Sequence, residues 1–163
     1  MAGGEGKRLK AVTGPLPKPM VPLLGKPLME RCVELLRENG IHDICATLRY
    51  NPGPIMDYFG DGEAFGVDIT WRVETQPLGT AGGVKACMDV LGDADFLVIS
   101  GDAACDFDLR RLIDEHERSG AAVTVALCEC AEPLRYGLAV PDAEGDVRCF
   151  IEKPDWGRVV GNL

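Results

Sequence analysis

The residue types at the start of the chain suggest phosphate chemistry. In MAGGEGKRLKAVTGPLPKPM, Gly3, Gly4 and Gly6 precede Lys7 and Arg8, and Lys18 follows within a proline-studded run. Glycines admit positive φ and let several N–H groups converge on one anion, and the cations beside them supply countercharge. Neither common phosphate template fits. The spacing GxxxxGK[ST] does not occur, and Gly4-Glu5-Gly6-Lys7-Arg8-Leu9 lacks the third small residue of GxGxxG. Pro15, Pro17, Pro19 and Pro22 forbid a long helix afterwards. On the glycines alone, a plain surface turn explains the stretch equally well.

Three further stretches carry chemical potential. In PLGTAGGVK (77–85), Thr80 is expected to cap a helix whose first turn contains Gly82 and Gly83, although a helical glycine costs roughly 1 kcal/mol relative to alanine. Bare glycines there admit a base or phosphate to the backbone, or else serve tight helix–sheet packing. In LVISGDAACDFD (97–108), an apolar strand delivers Asp102 to its carboxyl end, where a hard oxygen ligand suits Mg²⁺. Asp106 and Asp108 read more simply as a turn residue and a helix cap. In FIEKPDW (150–156), Glu152 and Lys153 stand side by side before Pro154, which alone describes a solvated strand end.

These residues need elements to position them. Helical periodicity is expected over 28–39, stopped by Gly40, over 80–91 and over 108–119, with a short helix at 55–59. In 28–39 the apolar stripe is Leu28, Cys32, Leu35 and Leu36. Strand patterning marks 43–50, 67–74, 95–100 and 121–128, the third reading as buried on both faces. Segments 134–142 and 146–152 flank an Ala-Glu-Gly turn as an antiparallel pair. The alternation predicts an α/β fold with a Rossmann-like, mainly parallel sheet, helices on both faces and an antiparallel addition near the C-terminus. Such sheets bind ligands beyond the carboxyl ends of their strands, which is where Asp102 falls.

Composition narrows the function. A chain of 163 residues, 46% hydrophobic and 26% charged, can bury a core as one domain. A net charge of -9 argues against a nucleic-acid surface. Seven cysteines without CxxC spacing, with two histidines, suggest reduced thiols and a cytoplasmic setting rather than a disulfide framework or a zinc site. No apolar stretch of membrane-spanning length occurs, so no membrane partner is expected. A homo-oligomer is left open.

Taken together, AGGEGKRL, PKPMVPLLGKP, PLGTAGG, SGD and EKPDWG resemble, in order and over nearly the whole chain, the sugar-1-phosphate nucleotidyltransferases, in particular the mannose-1-phosphate guanylyltransferase and glucose-1-phosphate nucleotidyltransferase branch. The resemblance implies transfer of a nucleotidyl group from a nucleoside triphosphate to a sugar 1-phosphate, with pyrophosphate leaving and Mg²⁺ as cofactor. By motif, it implies that Gly3, Gly4 and Gly6 cradle the nucleotide, that Arg8 contacts the phosphates and Lys18 the α-phosphate and sugar phosphate, and that Thr80 and Gly82 lie by the base. Asp102 would bind the metal, and Gly137, Glu152 and Lys153 would face the sugar phosphate. Mannose 1-phosphate with GTP is the favoured pair. Glucose 1-phosphate with UTP, dTTP or CTP is the alternative, as is a noncatalytic nucleotide-sugar-binding relative. Lys7 replaces the signature threonine. The family's apolar strand before AGG and its segment after EKPxWG are not found, so residues 1–163 are expected to be a core domain shortened at both ends, with a weakened central strand.

Overall fold

The computed structural model describes residues 1–2 and 14–160. It divides into two compact units, Met1–Arg111 and Leu112–Leu163.

In the first unit, a short 3₁₀ turn at Lys18–Met20 leads into a two-residue antiparallel ribbon, β1 (Pro22–Leu23) and β2 (Lys26–Pro27). Its turn residues, Leu24 and Gly25, both have positive φ (52° and 83°), the backbone signature of the hairpin turn that matches strand twist. Helix α1 (Leu28–Glu38) follows directly. Its buried apolar face is Met29, Cys32, Val33 and Leu36, while Leu28 and Leu35 are only half-buried; the stripe is turned slightly from the expected one. The helix ends in a Schellman motif at the expected glycine. Gly40 N–H donates to Arg37 O (2.9 Å) and Ile41 N–H to Leu36 O (3.0 Å), with Gly40 at φ 81°.

Strand β3 (Asp43–Leu48) pairs in parallel with β4 (Asp68–Val73), from Asp43 opposite Asp68 to Leu48 opposite Val73. Between them runs α2 (Gly53–Phe59), so the connection is a βαβ crossover. Ala46, Thr47 and Leu48 are consecutive and all buried, as a strand covered on both faces requires. Leu48, Ile55 and Phe59 form the centre of the core with Met29, Val33, Val67 and Ile69.

The first two residues occupy a central place. Ala2 N–H donates to Thr47 O (2.9 Å), the amino terminus to Ile99 O (2.7 Å), and Gly101 N–H to Met1 O (2.8 Å). The last two bonds are those of a parallel bridge, so residues 1–2 lie between β3 and segment 99–101, giving the order β4, β3, residues 1–2, segment 99–101.

Two expected strands show no ladder among the described residues. Segment 95–100 makes no continuous ladder among the described residues, and Phe96 and Val98 are 43% and 47% exposed. Among the described residues its bridge runs to Met1, and β-propensity expresses itself only against neighbouring strands. The expected helix 80–91 is interrupted. It forms α3 (Gly79–Lys85) and α4 (Met88–Leu91), parted at Ala86 and Cys87.

Asp108 caps helix α5 (Leu109–Ser119), its Oδ1 accepting from Arg111 N–H at 2.9 Å. In the second unit, segment 121–128 is the other missing strand, with Val123 75% exposed and no ladder among the described residues. The antiparallel pair is present: β5 (Gly137–Pro141) against β6 (Val147–Glu152), with an irregularity at Val140/Pro141. Asp142 organises its turn, Oδ1 accepting from Glu144 N–H (3.2 Å) and Asp146 N–H (2.9 Å). A short helix, α6 (Trp156–Val160), follows.

Candidate functional site

Gly3, Gly4, Gly6, Lys7 and Arg8 lie outside the described residues. The site as described begins at Lys18. The prolines that bar a long helix here hold this lysine in place: Pro17 and Pro19 are fully buried on either side, and fixed φ stiffens the turn between them. Met20 N–H donates to Pro17 O (2.8 Å) and Val21 N–H to Lys18 O (3.1 Å), closing the turn.

Asp102 is reached by a different route. Segment 99–101 bonds to Met1, and Gly101 is buried where a side chain would meet Ala2 Cβ at 3.2 Å and Met29 Cγ at 3.7 Å. The chain therefore passes close over α1 and the first two residues before presenting Asp102. There Lys18 Nζ lies 3.1 Å from Asp102 Oδ2, with both side chains partly open to solvent. Two residues singled out separately in sequence thus meet in space. As an exposed pair, their attraction adds little stability; its value is in placing an ammonium and a carboxylate at one edge.

The donor set bears on Mg²⁺. Among the described residues no group of three or more His, Cys, Asp and Glu side chains could hold a metal ion. Mg²⁺ is commonly held through one or two carboxylates together with substrate phosphates and water, and one accessible carboxylate beside an ammonium fits that arrangement. Asp106 is exposed and Asp108 caps α5, as expected of both.

At α3 the expectation for Thr80 changes. The N-cap is Leu78, and Thr80 is an exposed residue of the first turn making no capping hydrogen bond. The turn is made by Gly79, at φ 72°, so the helix begins one residue before Thr80, which places its side chain too late to cap. Gly82 is half-buried, and a Cβ there would stand 2.9 Å from Leu78 Cβ. Gly83 is buried with Glu74 Oε1 2.9 Å and Met1 Cε 3.0 Å from its Cβ position, so packing accounts for this glycine. Glu74, read in sequence only as the end of a strand, also accepts from Leu78 N–H at 3.5 Å. A lone glutamate after an apolar strand gave no signal of that contact.

In the second unit, Gly137 and Glu152 are opposite each other in the β5–β6 register. Glu152 Oε2 lies 3.0 Å from where a Gly137 side chain would begin. Lys153 has φ 38°, donates its N–H to Tyr136 O (3.2 Å) and pairs through Nζ with Glu152 Oε1 (3.2 Å). These three residues form one exposed cluster.

Residues 1–159 match the family model described as nucleotidyl transferase. The chain is 36% identical to UTP–glucose-1-phosphate uridylyltransferase of Synechocystis sp. over 94% of its length and 43% of the relative's. It is 35% identical to mannose-1-phosphate guanyltransferase of Saccharomyces cerevisiae over 99% of its length and 46% of the relative's. Among solved structures, a Bacillus anthracis protein described as a glucose-1-phosphate thymidylyltransferase, in complex with a sucrose, superimposes with TM-score 0.86 at 29% identity, covering 94% of this chain and 62% of that one. HddC from Yersinia pseudotuberculosis complexed with GMP-PN gives TM-score 0.74 at 31% identity, over 94% and 68%. The likeness defines a Rossmann-like α/β fold of nucleotidyltransferase type. The chain belongs to the nucleotidyl transferase family. It spans less than half the length of these curated relatives. No helix among the described residues is long and apolar enough to cross a membrane.

Proposed function

We propose that this chain is the nucleotide-binding core of a sugar-1-phosphate nucleotidyltransferase that works in the cytoplasm. A phosphate oxygen of the sugar 1-phosphate attacks the α-phosphorus of a nucleoside triphosphate. A new P–O bond forms, the bond to the β-phosphate oxygen breaks, and pyrophosphate leaves with the electron pair. Such transfer depends on alignment and charge neutralisation rather than on a protein nucleophile. The observation that carries the reading is the Lys18–Asp102 pair, which sets a cation and a hard anionic ligand at the carboxyl edge of the parallel strands.

In this reading Gly3, Gly4 and Gly6 cradle the nucleotide and Arg8 faces the triphosphate. Lys18 draws the α-phosphate and sugar phosphate together. Thr80 and Gly82 flank the base, and Gly137, Glu152 and Lys153 serve the sugar-phosphate side. Asp102 would hold Mg²⁺, which when bound supplies positive charge to the triphosphate. Mannose 1-phosphate with GTP is the preferred pair. Glucose 1-phosphate with UTP is the second reading, favoured by the likeness to the Synechocystis uridylyltransferase.

The test is pyrophosphate release, together with calorimetric nucleotide binding, across GTP, UTP, dTTP, CTP and ATP with either sugar phosphate, with and without Mg²⁺. Selective, Mg²⁺-dependent binding and turnover of one pair is expected. Absence of binding to all five nucleotides would sink the proposal.

A further inference from the structure

We infer that Cys32 is a positioning residue for Asp102, its thiol tying α1 to the backbone on both sides of the Gly101–Asp102 step. The Cys32 Sγ–H is shared between Ser100 O (3.5 Å) and Ala103 O (3.3 Å), the carbonyls immediately before and after that step. The thiol is 3% exposed, so water does not compete for the contact. Gly101 is also hemmed in by Ala2, Met1 O and Met29, the last one helical turn before Cys32 on α1. The loop is thus clamped between a packed glycine and a thiol donor.

The same helix fixes the lysine's end of the pair. Leu28 N–H, at the start of α1, donates to Val21 O (3.0 Å), immediately after the turn that carries Lys18. Helix α1 therefore sets the separation of Lys18 and Asp102, with Cys32 as its one side chain hydrogen-bonded to the segment 100–103 among the described residues. Burial pushes the Cys32 thiol up to about 11. Cys32 is a protonated donor at neutral pH, as this role requires. A cysteine on the apolar face of a helix reads in sequence as a small hydrophobe; the two carbonyls above it are visible only in the fold.

The inference rests on Asp102 serving metal-nucleotide binding, and the experiment separates the two. Binding of each Mg²⁺–nucleotide is measured by calorimetry for Cys32→Val, which keeps volume without a donor, for Cys32→Ser, which keeps a donor, for Asp102→Asn, and for the Cys32→Val/Asp102→Asn double variant, with unfolding midpoints alongside. Cys32→Val should weaken Mg²⁺-dependent binding about three- to tenfold, the range of one hydrogen bond. Cys32→Ser should recover most of it, and Cys32→Val should add nothing once Asp102 is replaced. An equal loss in the Asp102→Asn background, no rescue by serine, or unfolding of both single Cys32 variants would show a general packing role and overturn the inference. If Asp102→Asn leaves Mg²⁺-dependent binding intact, the functional reading of Asp102 fails instead and takes this inference with it.

Discussion

Lys18 carries most of the proposed chemistry, yet it is an ordinary, partly exposed lysine, 3.1 Å from a carboxylate. Its worth would appear only when the attacking and departing oxygens share charge with it. Lys18→Ala should therefore leave the unfolding midpoint nearly unchanged while slowing turnover about a hundredfold, on the order of 3 kcal/mol of transition-state stabilisation. Arg8→Ala should behave alike, and single-turnover rates measure both. Full activity in either variant would remove that residue from the mechanism. A second residue-scale expectation concerns alkali. Burial, with a hydrogen bond donated to Cys87, pushes the Cys45 thiol up to about 12 from an ordinary value near 9. The folded state then holds a proton that the unfolded chain releases, so this thiol's contribution to stability is fully present below about pH 9 and is lost as pH rises towards 12. Denaturant titrations at pH 8, 9.5 and 10.5 should show that fall, and a shallower one in Cys45→Ala. Of the candidate residues, Lys18 and Asp102 were legible one by one, because proline flanks and a strand-end SGD are local signals. Their meeting was not, since it depends on which strands neighbour residues 1–2.

Among the elements, those that bury an apolar face within the first unit follow their sequence patterns closely: α1, α2, β3 and β4 differ from expectation by a residue or two at their ends. The elements that departed are those whose partners are not encoded locally. Segment 95–100 is as apolar as β3 but, among the described residues, bridges Met1 without a continuous ladder. The broken helix 79–91 has a local cause legible afterwards: Gly79, Gly82 and Gly83 in its first half weaken helical continuity. Gly62 shows how tightly the β3–β4 layer is held. It has φ 96°, and a Cβ would stand 2.7 Å from both Val67 O and Ile69 Cγ1. Gly62→Ala should cost about 1–3 kcal/mol from backbone strain alone, read as a lowered midpoint in chemical denaturation. A midpoint equal to the unsubstituted chain's would mean that the turn relaxes without penalty.

At the scale of the molecule, the two units differ in how well their apolar residues are covered. The first holds the contiguous core of β3, β4, α1 and α2. The second leaves Val123, Leu127, Phe150, Trp156 and Val160 more than half exposed. Amide hydrogen exchange should therefore be slowest in β3 and β4 and fast through 121–136. Equal protection in both would contradict this division. Segment 121–128, AAVTVALC, adds a hazard to that exposure. It carries no charge and no proline, is rich in β-branched and small apolar residues, and has no ladder among the described residues, which together are the traits of a stretch that templates cross-β growth. On storage at high concentration the protein should seed thioflavin-positive fibrils from this stretch, and a single gatekeeper such as Val125→Lys should keep it clear.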